Sequence, residues 1–260
     1  MLRRSLYYAT LLLLPAGLLA SPAALAQSPV PTVKTPAGLN PYTGPRFPGG
    51  PDSLRAMLRR AAAMAGPALK GQLFVRLEFS QNGQPERCSL LPPPDRAGAE
   101  LARSKEIQAM VQQLPAKLGQ WQPGTGTDRA QPGNSIVLLL AFGPQAAPVA
   151  LPYSDENPAF ISLTDKNTTT LQRAINFLQR QFRYPAEDLR NQVQGTVYGY
   201  FEVSETGAVE NRRVAGSLTP SIDAELLRVL NTLPDALAPP RQQGRPARVA
   251  YVLPVSLRIL

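Results

Sequence analysis

The chain has 260 residues, 43% of them hydrophobic and 17% charged, with a net charge of +9. That length fits one large domain or two small ones, and 28 prolines are too many for one compact helical bundle. Histidine is absent and Cys88 is the single cysteine, which excludes an intrachain disulfide, a histidine general base and the commonest zinc ligand. The basic residues, among them Arg76, Arg103, Arg173, Arg190 and Arg228, are scattered singly along the chain. A nucleic-acid binder gathers its charge into a patch or stripe, so the charge fits a basic surface facing anionic envelope polymers and no nucleic acid.

Arg3 and Arg4 precede an apolar stretch over residues 6–20, and Ala24-Leu25-Ala26 supplies a small-residue cleavage site. This pattern predicts a signal peptide over residues 1–26 and delivery to the periplasm. Inner-membrane anchoring is the weaker reading, because a spanning helix needs roughly 20 apolar residues and Pro15 interrupts this stretch. Residues 27–46 carry Pro29, Pro31, Pro36, Pro41 and Pro45 and read as a proline-rich linker. Residues 144–167, with Pro144, Pro148, Pro152 and Pro158, read as a second one. Two segments of similar length remain, 47–143 and 168–260.

In the first segment Leu54, Met57, Leu58 and Ala61 recur at helical spacing. Leu73, Val75, Leu77 and Phe79 then alternate with more polar neighbours, as in a half-buried strand. Asn82-Gly83 predicts a tight hairpin turn with both central residues at positive φ, and a second strand follows over 85–91. Leu101, Met110, Val111 and Leu114 mark a trailing helix ending before Pro115. The last strand, 135–142, is apolar on both faces, so Val137 and Leu139 should be covered by the second module, the linker or another chain. This strand is thus a candidate surface for self-association into a homo-oligomer.

The second segment repeats the first. A shift of 124 positions places Gly71 on Gly195, Glu78 on Glu202, Ser80 on Ser204, Gly83 on Gly207 and Glu86 on Glu210. Leu171, Ile175, Leu178 and Phe182 form the leading helix, with Pro185 at its exit. Val197, Phe201 and Val203 set the phase of the next strand, on whose polar face fall Tyr198 and Tyr200. Those two rings fit cross-strand packing better than ligand stacking. Thr219-Pro220 reads as N-cap and first helical residue, ahead of the stripe Ile222, Leu226, Val229, Leu230 and Leu233. In the last strand, 248–257, Pro254 argues for an edge position. The expected fold is α+β: two tandem modules, each helix-strand-strand-helix-strand with a three-stranded antiparallel sheet packed on two helices.

Asp223 and Glu225 lie two apart on one helix and point to different sides, and no phosphate-binding glycine loop or acidic cluster is present. Neither catalysis nor a cofactor or metal is expected.

The second segment resembles the C-terminal domain of TonB-type energy transducers. The resemblance rests on Arg183-Tyr184-Pro185-Ala186, Gly195-Thr196-Val197, Thr206-Gly207-Ala208-Val209, Asp223-Ala224-Glu225, Gly244-Arg245-Pro246 and Tyr251-Val252-Leu253-Pro254-Val255. Ala238-Pro239-Pro240 stands where the family shows a tryptophan followed by Pro-Gly. The first segment keeps Phe47-Pro48-Gly49-Gly50, Gly71, Asn82-Gly83 and Trp121-Gln122-Pro123-Gly124 but lacks the Tyr-Pro element, as a degenerate copy would.

The resemblance implies a protein-binding module that takes an outer-membrane receptor or other envelope protein by β-augmentation at a sheet edge. It implies that Gln181, Tyr184 and Pro185 face the receptor. On the last strand, Val249, Tyr251, Val252 and Val255 are the expected contacts. A cleavable leader and a spacer of roughly 60 Å at ~3.1 Å per residue sit poorly with energy transduction. The alternative is a soluble periplasmic scaffold or peptidoglycan-binding protein.

Overall fold

A computed structural model describes residues 41–66, 68–125, 135–143, 150–160 and 170–259. The expected signal peptide, and the first linker up to residue 40, lie outside the described residues. The first sheet is built by helix α1 (Gly50–Ala65), strands β1 (Gly71–Phe79) and β2 (Pro85–Leu90), short helix α2 (Arg96–Ala102), helix α3 (Lys105–Leu118) and strand β3 (Ser135–Phe142). The second follows as α4 (Thr170–Gln181), α5 (Ala186–Arg190), β4 (Gly195–Val203), β5 (Val209–Gly216), α6 (Pro220–Leu230), the two-residue strands β6 (Arg241–Gln242) and β7 (Arg245–Pro246), and β8 (Val249–Leu257). The fold is α+β, with two three-stranded antiparallel sheets in the orders β2-β1-β3 and β5-β4-β8. The 124-position offset relates β1 to β4 from end to end.

Period-two patterning sends alternate side chains to opposite faces. Leu73, Val75 and Leu77 of β1 and Ile136, Leu138 and Leu140 of β3 meet Leu54 and Leu58 of α1 and Ile107, Val111 and Leu114 of α3. The second sheet buries Val197, Phe201, Val249, Tyr251, Leu253 and Val255 under α4 and α6. The helix ends follow their caps: Asp95 accepts from the Gly98 N–H, Ser104 from Ile107 and Thr219 from Ile222, with Pro220 in the first turn.

Two expectations need correction. The trailing helix does not stop before Pro115: α3 runs one turn further, to the buried Leu118, and Leu101 belongs to the separate helix α2. Proline forfeits a single backbone bond near the helix end, and burial of Leu118 offsets it. The hairpins are also not two-residue turns with paired positive φ. Only Gly83 is at positive φ (79°), Asn82 is not, and Ser80 and Gln84 close the loop through the Ser80 N–H and the Gln84 carbonyl. This is the three-residue hairpin in which a positive-φ glycine follows a turn. Ser204, Gly207 (94°) and Ala208 repeat it. In both, the first serine's Oγ accepts a further N–H, from Gln84 or Ala208.

The faces turned away from the helices pack on each other. Phe74, Leu91 and Leu139 of the first half form one cluster with Tyr200 and Ala215 of the second, flanked by Val137, Tyr198, Ala250 and Val252. The Phe74 and Tyr200 rings lie 5.2 Å apart, and the Arg213 guanidinium sits over both, at 5.4 and 4.2 Å from their centroids. The both-face apolar character of β3 is thereby explained: its second face is covered by the other sheet of the same chain. A second copy is not needed there, and self-association through that face loses its basis. Tyr198 and Tyr200 serve this packing as well.

Residues 150–160 run as a belt between the halves. Isolated bridges join Leu151 to Val249, Glu156 to both Pro41 and Arg241, and Ala159 to Ala238. Tyr153 stacks on Tyr42 at 4.9 Å, and its hydroxyl accepts the Phe47 N–H. Asp155 binds the Arg46 guanidinium at 2.9 Å and accepts the Gln243 N–H. Sheets, helices and belt all fall within one compact unit, Thr35–Leu260.

Candidate functional site

β8 is an edge strand, paired with β4 on one side only. The Ala250 N–H donates to the Leu151 carbonyl, away from β4, and the Arg248 carbonyl accepts the Leu151 N–H. In an antiparallel ladder a residue turns both of its backbone groups the same way. Residues 250, 252, 254 and 256 therefore face outward, and 249, 251, 253, 255 and 257 face β4. Pro254 stands opposite Tyr198 at one of the outward positions, where no N–H is needed. The belt takes the outward groups at 248–250. Beyond it, among the described residues, Val252 and Ser256 make no backbone bond on the outer side.

A groove of about 580 Å³ runs along this free stretch. Val252, Pro254, Ser256 and Arg258 form one wall, Ile175, Asn176 and Gln179 of α4 another, and Arg76 and Val137 of the first half close it. Its charged lining is basic, Arg76 and Arg258, with no carboxylate among the lining residues. Arg76 is 3.4 Å from Glu78.

Of the other edges, β3 is likewise paired on one side only, with β1. β5 carries two register irregularities against β4 and a positive φ at Asn211, and β2 has a bulge near Pro85. Bulges bend an edge away from added strands.

The sequence-predicted residues divide. Val252 lies on the groove wall. Val249, Tyr251 and Val255 are buried beneath the helices, and their backbone groups are turned to β4. Gln181 ends α4, and its carbonyl accepts from Arg228 at 2.9 Å. The Tyr184 hydroxyl donates to the Val193 carbonyl, and Pro185 precedes α5 as its N-cap. None of these three lines the groove. Of the outward set 252, 254 and 256, sequence reasoning named only Val252 as a contact. The parity of Pro254, the one residue that must not face β4, could have found the others.

The ionisable clusters are structural. Glu202 is buried; it accepts from the Tyr200 hydroxyl at 2.6 Å, from Asn211 at 3.0 Å and from Arg248 at 3.2 Å. Arg248 also meets Glu210 at 2.6 Å, and the Glu210 hydrogen bond is the main reason its guanidinium is held above its usual pKa. Asp223 accepts from Ser217 and Leu218, and Glu225 from the Arg183 N–H and from Arg228. Burial pushes the Cys88 thiol up to about 12, so it is not a nucleophile at neutral pH. Among the described residues no metal-binding cluster is present and no helix is long and apolar enough to cross a membrane.

Residues 180–259 match the model of the family described as Gram-negative bacterial TonB protein C-terminal. No curated protein and no solved structure matches the chain. The matched stretch starts at the end of α4 and takes in β4, β5, α6 and the edge strand β8. Domains of this family are envelope-associated protein-interaction units and not catalysts. Over residues 180–259 the chain is similar to the TonB C-terminal domain family.

Proposed function

We propose that this protein is a periplasmic TonB-like binding module that takes an extended segment of a TonB-dependent outer-membrane receptor as an added strand on β8. The observation that carries this reading is the free outward edge at Val252–Ser256, inside the family-matched stretch and beside a groove. Main-chain hydrogen bonds would supply the affinity. Arg76 and Arg258 favour a partner strand bearing acidic residues. The belt at Leu151 sets where pairing can begin, so the added strand runs from Val252 toward Arg258. The first half reads as a degenerate copy whose task is to cover the second sheet; the shared strand order and hairpin geometry support this.

The test is a titration of the full chain with a peptide copied from a receptor's amino-terminal box, followed by backbone amide shifts. Shifts should concentrate on residues 252–258. Ser256 is exposed and outward-facing, so Ser256→Pro should leave the fold intact, remove one donor and weaken binding about tenfold. Shifts confined to α4 and α5, or an unaffected Ser256→Pro, would refute the added strand. Co-sedimentation with peptidoglycan and no peptide binding would move the protein to the scaffold class.

A further inference from the structure

A second groove, of about 490 Å³, opens on the far side of the inter-sheet core. Phe74, Leu91 and Ala215 form its floor, all members of the cluster that joins the sheets. Its rims are Leu101 from α2 and Leu227 from α6, the latter 37% exposed, so neither half makes the groove alone. The size and apolar walls are those of a small-molecule site.

The charged groups around it are unequal. Asp95 is engaged as the cap of α2, its Oδ1 accepting the Gly98 N–H at 2.6 Å. Lys70 and Arg213 also line the groove, and among the described residues neither has a carboxylate within 4 Å. Arg213 is clamped over the Phe74 and Tyr200 rings, and its Nε is buried without an acceptor. Such a guanidinium is held in place; its Nε is enclosed, so the donors it can offer an anion in the groove are the terminal Nη groups.

The backbone argues against a peptide here. The Leu91 N–H is taken by the Phe74 carbonyl and the Ser217 N–H by the Pro92 carbonyl, so the strand ends around the groove are already paired. We infer that the groove binds an amphipathic carboxylate, a medium-chain acyl tail seated on Phe74, Leu91, Leu101 and Leu227 with its head at Arg213.

The probe is dodecanoate below its micelle concentration, added to the full chain and followed by calorimetry and by the amide shifts of Gly71, Phe74, Ala215 and Leu227. Saturable binding with shifts at those residues is expected, weakening about fourfold for each methylene removed. Dodecanol should bind about tenfold more weakly than dodecanoate. Arg213→Met, which keeps an apolar stem over the rings, should erase that difference. Leu227→Glu, at an exposed site, should weaken dodecanoate at least tenfold with the fold unchanged. Shifts spread over the surface, equal affinity for acid and alcohol, or an unaffected Leu227→Glu would overturn the inference. So would binding of an acidic peptide at the groove with none of dodecanoate.

Discussion

Tyr200 illustrates how much a single side chain holds in place. Its ring packs against Phe74 and under the Arg213 guanidinium, and its hydroxyl donates to a buried carboxylate, Glu202. Burial first, and that carboxylate second, hold its phenol well above the ordinary tyrosine range. Tyr200→Phe should leave one Glu202 oxygen short of a donor and cost about 1–3 kcal/mol in denaturant unfolding. Glu225 gives a pH signature. The Arg228 hydrogen bond is the largest cause and depresses its pKa; desolvation, next in size, opposes it, and the Arg183 N–H adds to the depression. A depressed carboxylate stabilises the fold above its unfolded value of about 4.3 and loses that contribution as pH falls through the folded value. Glu225→Gln should therefore melt below wild type at neutral pH, with the gap closing below about pH 4. None of these partnerships could be read from the sequence. Glu202 and Glu210 were placed on strands, but their meeting with Arg248 depends on how the turn after β7 returns the chain.

The elements themselves were far more legible. Strand phase, the Thr219-Pro220 helix start and the edge position of Pro254 all follow from local rules, and local rules decide them. Where tertiary contacts decide, local rules missed. The hairpins are instructive: each glycine is forced less by its turn type than by what lies above it. A methyl group on Gly207 would stand 2.5 Å from the Ala236 carbonyl oxygen, at φ 94°. Gly207→Ala should cost at least ~1–3 kcal/mol, read as a lowered melting temperature. The sequence named the strand and its outward Val252, along with three residues whose backbone groups are turned to β4. Val249, Tyr251 and Val255, which the resemblance offers as contacts, belong to the core.

At the scale of the whole molecule, the decisive feature is the pairing of two sheet faces. Composition suggested two modules on linkers, whereas residues 150–160 carry paired backbone and buried rings. Proline-rich composition describes what a segment cannot do alone and leaves open what it does against a preformed surface. Leu139 sits in the interface, 9% exposed. Leu139→Glu should place an unpaired charge there at a cost of at least ~3 kcal/mol. Calorimetry should then show two separated transitions in place of one cooperative transition.

The face-to-face arrangement has a further consequence. Two sheets on separate chains would assemble by mass action and come apart on dilution. Here both are carried by one polypeptide, and their encounter is first order, governed by tether length and not by expression level. Dilution in a large compartment leaves such a pair intact. Covalent union also frees the halves from symmetry, because a substitution appears once in the joint body and not twice. One face can then drift toward pure packing while the other keeps an open edge.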